Sequence, residues 1–283
     1  MKIAIIGKIH QDGINIFKEN KFDVLEINDL NNKLIKEKLE TVNGIVLRTA
    51  KLGKDILTNC KNLKIVSRHG VGYDNVDVEF LNSKKIALGI TSTANAVSVA
   101  EHVMTMFLYL SKKINLSDEL TKSGNFEKKS TLPDFFEIYK KKIFIVGFGR
   151  IGQAVAKRCL GFESEVYVHD PYIDDKKIIE KNCYPIQLDK GIEIADYISF
   201  HLPLNEFTKN LFSYNEFQKC KANLILVNTS RGGIINEKAL YSALKEKKIL
   251  GAGLDVFENE PPSKNHPLYE IKNIILTPHN SAL

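Results

Sequence analysis

Residues 142–161, "KIFIVGFGRIGQAVAKRCLG", decide the fold. Five apolar-rich residues read as a buried strand, and the stretch from Gln153 onward reads as a helix. Between them lies Gly147-Phe148-Gly149-Arg150-Ile151-Gly152. A glycine at the first position permits a tight turn, one at the second lets backbone N–H groups approach a pyrophosphate, and one at the third lets helix and strand pack closely. The N-terminus of the helix adds partial positive charge at the same place. The next strand-like run, "EVYVHD", ends at Asp170, eighteen residues past Gly152. A carboxylate there can accept both ribose hydroxyls of NAD and repels the 2′-phosphate of NADP. A glycine turn followed by an ordinary strand-end aspartate is the competing reading. Strand, turn, helix and acid in the required order favour the dinucleotide.

Working outward, the runs "YISFHL", "LILVNT", "ILGAGLDV" and "NIILTP" continue the pattern of short apolar strands after that loop. Upstream, "KIAIIG", "DVLEIN", "GIVLR", "LKIVSR" and "IALGIT" alternate with amphipathic stretches such as "QDGINIFKEN" and "NNKLIKEKLE". Short apolar strands separated by helices mean parallel sheets covered on both faces. The fold expected is therefore α/β with two doubly wound parallel-sheet domains: a flavodoxin-like one over 1–95 and a Rossmann one over 96–283. The first strand leads into "GKIHQDG", which lacks a second and third glycine at phosphate-loop spacing. "NAVSVAEH" and "VMTMFLYL" (95–110) form one long helix, apolar on most faces, hence core or core plus a subunit contact. The lysine-rich stretch 111–142 reads as a helix end plus surface loops, and a helix is expected from Val76.

Composition narrows the class. The 283 residues are 43% hydrophobic and 26% charged, enough for two packed cores. Net charge is +6, but the basic residues are spread along the chain, so nucleic acid is not an expected partner. The longest apolar stretch falls short of the ~20 residues a membrane span needs. Cys60, Cys159, Cys183 and Cys220 show no C-x-x-C spacing, which suggests neither a metal site nor a secreted disulfide framework and fits a cytoplasmic protein.

Chemistry-bearing residues cluster at strand ends. "NTSRGG" places Arg231 just past a strand, where ligands bind in open parallel sheets. A guanidinium fork suits a carboxylate, although the motif alone also reads as a surface arginine in a loop. "LDVFENEPP" presents Glu260, and "LTPH" ends the following strand at His279. Adjacent strand ends can bring the carboxylate to the imidazole, fixing its tautomer and giving a proton donor near neutral pH. Separately, each is an ordinary loop residue. Arg48 and Thr49 end one upstream strand, and the glycines of "SRHGVGYDNVD" (67–77) follow the next. Gly70 and Gly72 form either a nest of backbone N–H groups or a plain tight turn.

The ordered set "RHGVGYDNVD", "ANAVSVAEH", "GFGRIG", "HDP", "HLPL", "NTSRGG", "LDVFENEP" and "TPHNSA" resembles the D-isomer-specific 2-hydroxyacid dehydrogenases, the group that includes D-3-phosphoglycerate dehydrogenase. The likeness covers roughly residues 44–282 and is weak over 1–43 and 111–141. It implies an NAD-dependent enzyme acting on a small 2-hydroxy or 2-keto acid of D configuration, working as a homodimer. It implies that Arg231 binds the substrate carboxylate and that His279 is the acid/base with Glu260 as its partner. It also implies that Arg48, Thr49, Val71 and Gly72 line the substrate pocket of domain 1–95. Arg150, Ile151 and Asp170 fall on the adenosine and pyrophosphate side of NAD by the same likeness, and Gly147, Gly149, Gly152 and His201 are expected at the cofactor as well. Thr229, Ser230, Arg231, Asp255, His279 and Ala282 fall near its nicotinamide. An NAD-sensing protein of the same fold without turnover is the alternative. Departures are Thr93 and Ala94 where the family often has glycine, and Phe126 where it often has Trp. The family's helix returning to the first domain is expected to be missing beyond Leu283, leaving an uncovered apolar patch beside the first strands.

Overall fold

The structure is a computed structural model that describes residues 1–91 and 94–282. Thr93 and Leu283 lie outside the described residues. The chain divides into two compact units, Met1–Asn95 and Ala96–Leu283.

The first unit carries one five-stranded, all-parallel sheet of β1 (Lys2–Ile6), β2 (Asp23–Ile27), β3 (Gly44–Leu47), β4 (Ile65–Arg68) and β5 (Ala87–Ile90). The spatial order is β2-β1-β3-β4-β5, the flavodoxin-like winding. Alternation along the strands splits the core between two faces. Ala4, Ile6, Ile45, Leu47 and Val66 bury one way with Ile35 and Leu39, while Ile3, Ile5 and Val46 bury the other way against Ile14 of the helix Gln11–Glu19. The patch expected beside the first strands is not there, because that helix covers them. On this face the exposed apolar residue is Ile65 of β4, 41% accessible. The helix expected from Val76 begins instead at Val78, because Asp77 accepts from Phe80 N–H at 2.9 Å and so caps it.

The second unit is a seven-stranded parallel sheet. Its strands are β6 (Lys142–Val146), β7 (Glu165–His169), β8 (Tyr184–Pro185), β9 (Tyr197–Phe200), β10 (Ile225–Asn228), β11 (Gly251–Leu254) and β12 (Ile274–Leu276). The order β12-β11-β10-β9-β6-β7-β8 reverses direction at β6, so a crevice opens at the carboxyl ends of β6 and β9. Ile143, Ile145, Val166, Val168 and Val227 face Val103, Met104 and Phe107 of the long helix Ala96–Lys112. Phe144, Val146, Ile198, Phe200 and Leu226 face Phe217, Leu240 and Ala243 on the other side. The stretch read as loops after the long helix holds a further helix, Ile114–Lys122, set off by a left-handed Lys113 (φ +46°). The four cysteines are free thiols, and burial raises the pKa of Cys60 to about 11 and that of Cys159 to about 12. No described helix is long and apolar enough to cross a membrane.

Candidate active site

The loop after β6 is shaped by what its glycines exclude. Gly147 adopts φ +94°, and a Cβ on it would lie 2.4 Å from the His201 carbonyl oxygen at the end of β9. A Cβ on Gly152 would lie 2.1 Å from the Gly147 carbonyl oxygen, so helix and turn meet only because that atom is missing. Gly149 is different: it is the N-cap of the helix Arg150–Gly161, has no side-chain cap, and a Cβ there would meet nothing within 4 Å. The open helix N-terminus therefore borders free space. Asp170 grips this loop, its Oδ2 accepting from Phe148 N–H at 2.7 Å and its Oδ1 from Tyr172 N–H at 2.9 Å. A carboxylate offers about four lone-pair sites, so capacity remains for further donors. His201 keeps some accessibility as a residue while its ring lies among protein atoms. Burial pushes its pKa down to about 3, and the neutral ring pairs with Ser199 Oγ at 2.9 Å.

Three neighbouring strand ends build the second half. After β10, the buried Asn228 folds the chain over itself. Its Oδ1 accepts from Ser230 N–H and Oγ–H at 3.0 and 2.7 Å, and its Nδ2 donates to the Arg231 carbonyl at 2.8 Å. Arg231 Nη1 donates to the Ser230 carbonyl at 2.6 Å. Gly232 lets this loop press on the next one, since a Cβ there would sit 1.8 Å from the Phe257 carbonyl oxygen. After β11 comes Asp255, fully buried, accepting from Thr277 Oγ1–H at 2.6 Å and from the Asn280 and Ser281 N–H groups at 2.9 and 3.0 Å.

Glu260 follows on the same loop. Its Oε1 accepts from Phe257 N–H at 3.1 Å, and its Oε2 lies 2.7 Å from Nδ1 of His279 past β12. A carboxylate only accepts, so Nδ1 carries the proton and Nε2 is the nitrogen that gains or loses one. The hydrogen bond to Glu260 raises the His279 pKa above 6.5, with partial burial opposing it. Burial works against the charged Glu260, yet the bonds from His279 and Phe257 outweigh it and hold its pKa below 4.5. A cleft of about 330 Å3 lined by Phe257, Glu260, Pro261, Tyr269 and His279 adjoins the pair.

The chain matches the family model described as D-isomer specific 2-hydroxyacid dehydrogenase, NAD binding domain, over residues 104–281. The chain belongs to the D-isomer-specific 2-hydroxyacid dehydrogenase family. It is 32% identical to D-3-phosphoglycerate dehydrogenase of Archaeoglobus fulgidus over 283 residues, all of this chain and 53% of that protein. It thus spans about half the length of that relative. With glyoxylate reductase of Thermococcus litoralis it shares 34% identity, covering 98% of this chain and 86% of the other. Among solved structures, D-lactate dehydrogenase of Aquifex aeolicus complexed with NAD and lactic acid is 26% identical with a TM-score of 0.85. That similarity covers 98% of this chain and 88% of the other.

The family's NAD-binding domain coincides with the second unit, and its residues fit the dinucleotide. The uncapped helix N-terminus at Gly149 leaves room for a pyrophosphate. Thr229 Oγ1 and Asn280 Oδ1, beside the Arg231 and His279 loops, are buried without a partner among the described residues. A buried polar atom without a partner is costly, and a ligand group relieves it. Of the dehydrogenase residues expected from sequence, His279, Glu260, Asp255 and Arg231 come together at adjoining strand ends. Gly147, Gly149, Gly152, Asp170 and His201 come together at the crevice. The Arg150 and Ile151 residues open the helix, Thr229 and Ser230 lie in the Asn228 fold, and Ala282 is exposed at the end of the His279 loop. Arg48, Thr49, Val71 and Gly72 form their own group in the first unit, after β3 and β4. Arg48 Nη1 donates to the Lys8 carbonyl at 2.5 Å. Three residues went unread in sequence. Arg68 ends β4 and donates from Nε to Asn75 Oδ1 at 3.2 Å. Asn228 organises the Arg231 loop, and His102 lies 3.1 Å from Thr277 Oγ1. "SRH" directly before the paired glycines was the available signal for Arg68.

Proposed function

We propose that this chain is an NAD-dependent D-2-hydroxyacid dehydrogenase whose substrate is a small 2-keto or 2-hydroxy acid, with hydroxypyruvate, glyoxylate and phosphohydroxypyruvate as the first candidates. The observation that carries the reading is the 2.7 Å pair of His279 Nδ1 and Glu260 Oε2 at the strand ends that also hold Arg231. A protein that merely sensed the dinucleotide has no use for an imidazole held to a carboxylate.

The roles of Arg231, Glu260, His279 and Asp170 follow from their chemistry, and those of the other residues from the family resemblance. NAD(H), when bound, supplies the hydride acceptor or donor. Arg231 holds the substrate carboxylate in its planar fork and polarises the carbonyl. Glu260 fixes His279 with its proton on Nδ1 and favours the charged form. Protonated His279 gives its Nε2 proton to the keto oxygen in reduction, and the neutral ring takes the hydroxyl proton in oxidation. Arg48, Thr49 and the N–H groups of Val71 and Gly72 contact the rest of the substrate, making residues 1–95 the substrate domain. Asp170 selects NAD over NADP by accepting ribose hydroxyls. Arg150, Ile151 and His201 line the adenosine and pyrophosphate side, while Thr229, Ser230, Asp255 and Ala282 flank the nicotinamide.

We further propose a cytoplasmic homodimer. Its support is a run of exposed apolar side chains around the helix Ile114–Lys122: Ile114 55%, Phe126 67% and Phe135 45% accessible. Sedimentation of the purified chain tests this part. The activity is tested by following NADH consumption with a panel of 2-keto acids, glyoxylate and hydroxypyruvate included. Turnover of at least one is expected, and tight NADH binding with no turnover on any would sink the enzyme reading.

A further inference from the structure

We infer that His102 and Thr277 are positioning residues that set the His279 loop through the carboxylate of Asp255; the effect on turnover, though not the positioning itself, rests on the dehydrogenase reading above. His102 projects from the helix Ala96–Lys112, its side chain 21% accessible, with Nε2 3.1 Å from Thr277 Oγ1. Thr277 Oγ1 lies 2.6 Å from Asp255 Oδ1. The direction of the chain follows from counting protons. A carboxylate only accepts, so the single hydroxyl proton of Thr277 goes to Asp255. Thr277 then accepts from His102, and His102 carries its proton on Nε2. The order is imidazole to hydroxyl to carboxylate, reaching from a helix into the end of the sheet.

Asp255 has two more clients. Its Oδ1 accepts from Asn280 N–H at 2.9 Å and its Oδ2 from Ser281 N–H at 3.0 Å. One buried carboxylate therefore ties the chain at 277, 280 and 281, on both sides of Pro278-His279. Between those ties His279 takes φ +51°, a left-handed conformation uncommon for a residue with a side chain. Such conformations persist where the surroundings over-determine them. Without the N–H of His102, the Thr277 hydroxyl is held by Asp255 alone and the carboxylate loses its outer brace. The loop that delivers His279 to Glu260 then has slack. The charged groups facing the His279 ring are Glu260 and Asp255 from the β11 end and Arg231 from the β10 end. The two carboxylates favour its charged form and the arginine opposes it.

The test is an NMR titration of the His279 imidazole in the full chain without cofactor, paired with kinetics. The set is the parent, His102→Leu, His102→Gln, Thr277→Val and Thr277→Ser. In the parent the titration midpoint is expected above 6.5. His102→Leu and Thr277→Val are expected to move it down toward that value. His102→Gln, which keeps an N–H donor, and Thr277→Ser, which keeps the hydroxyl, are expected to stay near the parent. In keto-acid reduction the first two should lose about tenfold or more in kcat, with little change in KM, as misplacement of a reacting group does. An unchanged His279 midpoint in folded His102→Leu and Thr277→Val overturns the inference. So does a His102→Gln protein as impaired as His102→Leu, which would leave His102 a packing residue. If His102→Leu does not fold, the Gln, Val and Ser variants still decide. If the parent turns over no 2-keto acid, the dehydrogenase reading fails, while the NMR titration still decides the positioning role.

Discussion

Both units begin with the same manoeuvre and finish it differently. β1 and β6 each run into a glycine of positive φ, Gly7 at +88° and Gly147 at +94°, whose N–H donates across to the neighbouring strand, to Ile27 O and His169 O, each at 2.9 Å. Five residues further on stand Asp12 and Gly152. In the first unit the helix N-terminus looks after itself: His10 caps it, accepting from Asp12 N–H on Nδ1 and from Gly13 N–H on its carbonyl. In the second, Gly149 has no side chain to cap with, only its carbonyl accepting from Gln153 N–H, and Gly152 draws the helix down onto the turn. One architecture thus gives a closed end and an open one, and the side chains around the turn decide which. Along the second sheet, Thr229 Oγ1 and Asn280 Oδ1 are also left without protein partners among the described residues, as Asn95 Oδ1 is at the end of the first unit.

The contrast breaks most readily at Gly152. Its Cβ position lies 2.1 Å from a backbone oxygen, so Gly152→Val is expected to abolish NADH binding in a fluorescence titration and to lower Tm. The matching change Asp12→Val in the first unit should leave NADH binding intact and stability within about 1 kcal/mol, the scale of a first-turn acid. Equal damage from both would dissolve the distinction. Next comes His279→Ala, expected to cut kcat by about 10²–10⁴-fold while NADH affinity stays near the parent, because it removes a proton donor rather than a contact surface. Asp170→Ala should narrow the preference for NADH over NADPH, read as a ratio of kcat/KM values. Its loss also frees Phe148 N–H, so the glycine loop should loosen as well.

The smallest effect is a displacement along the pH axis. Because the His279 pKa is raised, keto-acid reduction should hold at low pH and fall as pH rises through a value above 6.5. Glu260→Gln should move that fall to lower pH. The same pair contributes to stability with opposite limits. The raised His279 contributes fully below 6.5 and loses this as pH rises through its folded value. The lowered Glu260 contributes above 4.5 and loses this as pH falls through its own. Parent minus Glu260→Gln stability should therefore peak between those two values in denaturant titrations.

The glycine loop was legible in sequence because each glycine answers a separate local demand, and the strands because parallel, doubly covered strands are plain apolar runs. β8 was not, since two residues ending in Pro185 carry no periodicity. The helix Ile114–Lys122 hid in a polar, lysine-rich stretch because it buries no residue, its apolar side chains such as Ile114 and Leu116 staying exposed. In the site, the Glu260–His279 pair could be anticipated from adjacent strand ends. Asp255 as the tie of the 277–281 segment could not. That role depends on β11 lying beside β12 in a register that matches Leu254 with Leu276, and on His102 arriving from a helix more than a hundred residues away. Residue types state what a side chain can donate or accept; partners that distant are settled only when the sheet is wound.

The buried thiols carry a practical consequence. Cys60 is 8% accessible in the first unit, and Cys159 and Cys183 are 0% and 3% accessible in the second. Their pKa values of about 11 to 12 leave almost no thiolate at neutral pH. An alkylating reagent therefore waits on local opening before it reacts. Pulse labelling followed by peptide mass spectrometry then times the opening of each unit separately in one tube, with Cys60 as the clock for one sheet and Cys159 for the other, and no dye or tag has to be added.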